Sequence, residues 1–259
     1  MDQYQCITLE SRSDGITVLT LNRPDKLNSF NRTMIDEWER ALGFAATDAG
    51  TRVVVLTGAG RAFCAGGDAD EMAEMQDADN VARRDYLRAI HRIPLALERM
   101  DKPVIAAING TARGAGMDMA IMCDLRVAAA TATFAESYIN MGLISGDGGM
   151  YFLPRLIGAA RALELLWTGR VIDAAEAERI GLVNRVVADA DVLTAALELA
   201  AGIAAQAQHA IRITKRSVYQ ALANGSLASH LDAVSSHMAV LYDTREFRER
   251  LKAFRERKK

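Results

Sequence analysis

In the first part of the chain, valine, isoleucine and leucine gather in short unbroken runs, and between those runs apolar residues recur every three to four positions. The runs are GITVLTLN (15–22), RVVVLTG (52–58), KPVIAAING (102–110) and DLRVAAA (124–130). Segments without polar alternation suit strands covered on both faces, as in parallel sheets. The intervening segments NRTMIDEWERALGFAATD (31–48) and NVARRDYLRAIHRIPLALERM (80–100) carry helical spacing. In the first, Met34, Trp38 and Leu42 share a face and Asn31 is placed to cap the N-terminus; in the second, Pro94 predicts a kink or break. Beyond about residue 159 the strand signal fades to GLVNRVV (181–187), and helical stretches continue to the basic segment REFRERLKAFRERKK (245–259), with Phe247, Leu251 and Phe254 along one face. The pattern predicts an α/β core over 1–200 and a helical region over 201–259, without repeat, low-complexity tract or linker.

Composition narrows the functional classes. The chain has 259 residues, half of them apolar, enough for a substantial core. A formal charge of −2 provides no basic field, so neither nucleic acid nor an anionic membrane is expected as a partner, and any anion must be captured locally. Cys6, Cys64 and Cys123 show no CxxC spacing and no adjacent histidine pair, which points away from disulfides and zinc and toward a reducing cytoplasm. Cys64, between Phe63 and Ala65, reads as a small buried apolar residue. No early apolar stretch of signal-peptide length and no run near the ~18 residues of a membrane span is present, so a soluble, untargeted chain is expected.

Candidate chemistry sits in three segments. Two glycine-rich turns, RAFCAGGD (61–68) and NGTARGAGMD (109–118), each follow a predicted buried strand. Glycine lets the chain take positive φ and lets a ligand approach the backbone. The second turn leads into a helix, leaving free N–H groups near Gly114, Ala115 and Gly116. One N–H from each turn is suited to hold an oxygen whose negative charge grows in a transition state; two packing turns of a parallel sheet are the plainer alternative. Neither turn has the pattern of a nucleotide phosphate loop. The third segment, TFAESYINMGLISGDGG (133–149), holds three side chains that can transfer protons: Glu136, Tyr138 and Asp147.

In order along the chain, LTLNRPDKLNSFN (19–31), VVLTGAGRAFCAGGDADEM (54–72), KPVIAAINGTARGAGMDMAIMCDLRVAA (102–129), FAESYINMGLISGDGGMYFLPRLIG (134–158) and ALELLWTGRVIDAAEAERIGLVNRVV (162–187) resemble the enoyl-CoA hydratase/isomerase, or crotonase, family. The resemblance implies a ββα spiral core and a C-terminal helical region that mediates homotrimers, often paired into hexamers. It implies acyl-CoA thioester substrates, with no cofactor beyond the coenzyme A of the substrate. Carried over by position, the oxyanion donors are the Gly67 and Ala115 amides. The coenzyme A nucleotide lies near Lys26 and Leu27 and along Ala65 and Asp68, with Phe254 and the lysines of the terminal helix toward its adenine and phosphates.

The catalytic positions depart from the family's hydratases, which use two glutamates. The first matches Asp118, shorter by one methylene or about 1.5 Å of reach. The second matches Tyr138, four residues before Gly142, and a phenol with an ordinary pKa near 10 is a poor base at neutral pH. Asp147 lies one residue beyond the catalytic aspartate of several isomerases, with capping of the following helix as its alternative role. Glu136 shares the face of Tyr138 if this segment is extended. His91 is level with the histidine of the family's 4-chlorobenzoyl-CoA dehalogenases. The implied activity is hydration, or double-bond shift, of a 2-enoyl-CoA through a thioester enolate, using Asp118 with Tyr138, Asp147 or Glu136. A hydrolytic, dehalogenating or decarboxylating reaction with His91 or Asp147 as base remains open, as does a non-catalytic acyl-CoA-binding or RNA-binding role.

Overall fold

The computed structural model describes residues 4–256. Its strands, in chain order, are β1 (Ile7–Ser11), β2 (Ile16–Leu21), β3 (Val53–Gly58), β4 (Ala62–Cys64), β5 (Val104–Ile108), β6 (Thr111–Arg113), β7 (Leu125–Ala129), β8 (Thr133–Ala135), β9 (Ile172–Asp173) and β10 (Arg185–Val187). One sheet has the order β1-β2-β3-β5-β7-β10 and the other β4-β6-β8-β9. The large sheet is parallel except for β1, and the small one is parallel except for β9. Each turn of the chain gives one strand to each sheet, β3 then β4, β5 then β6, β7 then β8, and then enters helix: an α/β spiral of the expected kind.

The helices are α1 (Arg32–Thr47), α2 (Ala69–Asp77), α3 (Asn80–Arg99), α4 (Ala115–Ile121), α5 (Gly149–Ile157), α6 (Ala159–Thr168), α7 (Ala174–Arg179), α8 (Val192–Ala204), α9 (Gln208–Asn224), α10 (Leu227–Tyr242) and α11 (Arg245–Glu256). Asn31 caps α1 as the sequence predicts, its side chain accepting from the Met34 amide at 3.0 Å. The predicted break at Pro94 does not occur. Helix α3 runs through it, because Tyr86, Ile90, Ile93 and Leu97 bury one continuous stripe whose packing outweighs a lost backbone bond worth about 3 kcal/mol.

Strands β3 and β5 are buried along their whole length, which explains why their sequences lack alternation. Helix α8 packs along β2, β3, β5, β7 and β10 and carries the last buried residues, ending at Ala204. It crosses residue 200, where the sequence pattern puts the boundary between core and helical region. Helix α9 is fastened to the core through Asp124: Lys215 Nζ lies 2.7 Å from Oδ2, and the Tyr219 hydroxyl donates to Oδ1 at 2.9 Å. Of the terminal lysines, Lys258 and Lys259 lie outside the described residues. Among those residues no single helix is long and apolar enough to cross a membrane.

Candidate active site

Two turns leave the small sheet side by side. After β4 the chain passes through Ala65, Gly66 and Gly67 into α2; after β6 it passes through Gly114 into α4. Gly66 has φ +99° and Gly114 has φ 49° with ψ −123°, conformations that favour glycine. The turns interlock: a Cβ on Gly66 would stand 2.9 Å from the Arg113 carbonyl oxygen, and one on Gly116 would stand 2.1 Å from the Cys64 carbonyl oxygen. Phe30 donates its amide to Gly66 O at 2.9 Å and accepts from the Asp68 amide at 3.0 Å. That parallel bridge leaves the Gly67 N–H out of the ladder. The Ala115 N–H, at the first residue of α4, has no preceding turn to donate to. Both residues line one cavity of about 500 Å³, whose walls include Met72, Met75, Leu87, Ile90, Met141 and Leu143.

At the cavity's inner end three acids and a phenol meet. Packing of α5 on α4 brings the 145–149 loop over Asp118. The Tyr138 hydroxyl lies 2.8 Å from Asp118 Oδ2 and 2.8 Å from Asp147 Oδ2. Ser145 donates to Asp118 Oδ2 at 3.0 Å, and the Asp147 amide reaches the same oxygen at 3.3 Å. A Cβ on Gly149 would stand 2.1 Å from Asp118 Oδ1, 2.5 Å from Ser145 Oγ and 2.9 Å from Glu136 Oε1, so three oxygens converge on a bare glycine.

A phenol has one hydrogen to donate, so contact with both carboxyls requires a proton on one of them or an unshared pair facing the phenol oxygen. Burial, aided by the Asp118 charge, pushes Glu136 up to about 10, so it is protonated at neutral pH. Burial also raises Asp118, against the nearby Tyr138 and Ser145 hydroxyls, which favour its charged form. Burial and the flanking carboxylates push the Tyr138 phenol far above its ordinary range. Asp147 is pushed up to about 6 by burial and then by Asp118, so it is mostly ionised at pH 7. Its Oδ1 has no hydrogen-bond partner among the described residues. Asp147 is 4% exposed and lines the cavity with Tyr138, whereas Asp118, at 0%, lies behind them.

Residues 11–259 match the model of the enoyl-CoA hydratase/isomerase family. The chain belongs to that family. It is 35% identical over 261 residues to crotonyl-CoA hydratase of Syntrophomonas wolfei, covering 99% of this chain and 97% of the relative. It is 34% identical over 245 residues to short-chain-enoyl-CoA hydratase of Clostridium acetobutylicum, covering 94% and 92%. The solved structure of enoyl-CoA hydratase from Bacillus anthracis superposes with a TM-score of 0.93 at 35% identity, covering 98% of this chain and 97% of that one.

Among the enoyl-CoA hydratase/isomerase positions expected from sequence, Gly67, Ala115, Ala65, Tyr138 and Asp147 line the cavity. Asp147 is not the cap of α5; Gly148 is, without a side-chain bond. The condition on Glu136 also fails. The residue follows β8 and precedes a 3-10 turn (Ser137–Met141), so it does not share Tyr138's face; it is 1% exposed, packed behind Asp118. Asp68 is committed internally, capping α2 and pairing with Arg23 at 2.8 Å. Lys26 pairs with Asp70 at 3.1 Å on the surface. Leu27 adjoins the first glycine turn, accepting from the Ala65 amide at 3.0 Å. Phe254, 57% exposed on α11, does not line the cavity. His91 Nε2 stands 2.9 Å from Gly146 O and 3.9 Å from Asp147 Oδ1. A carbonyl can only accept, so Nε2 is the donor in the contact with Gly146 O. Cys64 is fully buried, donating to Asn28 O at 3.2 Å. Sequence reasoning missed Ser145 and Gly149. Only the crowding of small residues in SGDGG signalled them.

Proposed function

We propose that this family member works on 2-enoyl and 3-enoyl thioesters of coenzyme A with Asp147 as the proton-carrying group. The thioester carbonyl oxygen sits between the Gly67 and Ala115 amides, each such donor being worth about 10²- to 10³-fold in rate. Ionised Asp147 takes a proton from C2 of a 3-enoyl thioester. The resulting dienolate charge rests on the amide-bound oxygen, and protonated Asp147 returns the proton at C4. The double bond moves, and the carboxylate ends as it began. With a proton on Asp118 donated to the Tyr138 oxygen, the one phenol hydrogen goes to the second Asp147 oxygen and fixes that carboxylate in place. The observation that carries this reading is that Asp147, with a buried oxygen lacking a hydrogen-bond partner among the described residues, lines the same cavity as the Gly67 and Ala115 amides. The apolar walls suit a hydrocarbon-rich acyl group.

Hydration is the second reading, supported by the names of the Syntrophomonas and Clostridium relatives. It asks the same carboxylate to take a proton from water as oxygen bonds to C3, and to return it to C2. Incubation with 3-hexenoyl-CoA, 2-hexenoyl-CoA and crotonyl-CoA, following enoyl-thioester absorbance, separates the two. A gain of absorbance from the 3-enoyl ester supports isomerisation, and loss from the 2-enoyl esters alone supports hydration. No turnover of any of them counts against both.

The same proposal includes coenzyme A near Leu27 and Ala65, a cytoplasmic setting, and the homotrimer or hexamer. Exposed Val218, Leu222, Leu231 and Val240, on helices with no buried side chain among the described residues, support assembly, which sedimentation equilibrium checks. With Phe254 off the cavity, an adenine contact through α11 would come from a neighbouring copy.

A further inference from the structure

Tyr86 projects from α3 into the cavity wall, and no step above uses it. Its hydroxyl lies 3.9 Å from where a Cβ on Gly67 would stand, beside one of the two amides assigned to the thioester oxygen. The residue is 5% exposed, and its oxygen has no hydrogen-bond partner among the described residues. The Arg32 guanidinium packs over the ring at 5.3 Å and holds its plane. The lining residues Met72, Met75, Leu87 and Ile90 offer no strong side-chain acceptor, and the polar lining residues Gln76 and Asp147 make no hydrogen bond to the hydroxyl. Burial and then the Glu71 charge push the phenol up to about 12, so it remains a donor. A buried donor left unpaired is destabilising, and such groups are uncommon without a use.

We infer that the Tyr86 hydroxyl is a specificity-determining donor that recognises an oxygen acceptor within the acyl group, so that acyl chains bearing a neutral ketone or hydroxyl oxygen are preferred over plain hydrocarbon chains. The inference rests on the reading that this cavity holds the acyl thioester. A neutral acceptor is specified because the carboxylates of Glu71, Asp147 and Asp68 outnumber the one cation, Arg32, that acts on the phenol.

Calorimetric titration of the full chain with hexanoyl-CoA, 4-oxohexanoyl-CoA and 5-oxohexanoyl-CoA tests it without turnover. At least one oxo ester is expected to bind about tenfold tighter than hexanoyl-CoA or more, by the logic that a site built for a hydrogen bond rejects the analogue lacking it. In Tyr86→Phe that preference collapses below about twofold while hexanoyl-CoA affinity holds, and Tm does not fall because the lost hydroxyl had no partner. Equal affinities in the unsubstituted protein, a preference that survives in Tyr86→Phe, or a lowered Tm for that variant would overturn the inference. Binding of hexanoyl-CoA without preference overturns the role of Tyr86 alone; failure of every ester to bind overturns the acyl-thioester reading as well.

Discussion

Replacing Asp147 by asparagine keeps the side chain's shape and its acceptor contact with Tyr138 but removes the charge that the proposed chemistry requires. Two magnitudes follow. The first is kinetic: loss of a positioned general base costs about 10²- to 10⁴-fold in kcat/KM. The second is thermodynamic and opposite in sign. In the folded chain the carboxyl is pushed from 3.8 to about 6, so its ionisation is disfavoured there by roughly 3 kcal/mol relative to the unfolded chain. A carboxyl whose folded pKa is raised gives full stability below its unfolded value, and that stability is lost as pH rises through the folded value. The asparagine variant is therefore expected to match the parent near pH 4 and to exceed it by about 3 kcal/mol at pH 8. The assays are urea unfolding at both pH values and 3-hexenoyl-CoA turnover across pH 5–8. In the parent, kcat/KM is expected to fall about tenfold for each pH unit below about 6. A variant that loses less than tenfold in rate, or gains no stability at pH 8, refutes the assignment.

Other substitutions probe the surroundings. Tyr138→Phe removes a hydrogen bond that lowers the Asp147 pKa, so the acid limb of the rate profile should move to higher pH, with activity at pH 7 down roughly 10- to 100-fold and partly recovered at pH 9; an unmoved limb contradicts the contact. Gly116→Ala places a Cβ 2.1 Å from the Cys64 carbonyl oxygen, forcing the two turns apart. It should lower stability by about 1–3 kcal/mol and kcat more than KM affinity, read by unfolding and steady-state kinetics. Asp124→Ala strips Lys215 and Tyr219 of their shared partner, and a loss of about 2–4 kcal/mol with early protection loss in α9 by hydrogen exchange is expected.

How much of this was legible depended on where each signal resides. Strands β2, β3, β5 and β7 announced themselves because strands covered on both faces are written as apolar runs. The small sheet did not, since β4, β6 and β8 have three residues each, too few for any period to show. The glycine turns were visible as composition, but their interlocking depends on β4 pairing with β6, a long-range contact. Tyr138 and Asp147 were named as candidates, yet their shared contact with Asp118 depends on α5 packing against α4. Glu136 illustrates the limit. Pairing of Ala135 with Arg113 carries it alongside the start of α4 and buries it behind Asp118, a placement no local pattern encodes. Asp68 and Lys26 likewise look available in sequence and are engaged by Arg23 and Asp70 in space.

The central claim, that Asp147 moves protons at the carbon next to a thioester whose oxygen is held by the Gly67 and Ala115 amides, is tested most directly by hydrogen exchange in deuterated water. Hexanoyl-CoA, which can neither be hydrated nor isomerised, would be incubated with the protein at pH 7.5 and its C2 deuterium content read by mass spectrometry. The account predicts incorporation by the unsubstituted protein, slowed about a hundredfold or more in Asp147→Asn and retained in Glu136→Gln. Incorporation that survives in Asp147→Asn, or none in the unsubstituted protein, would contradict it.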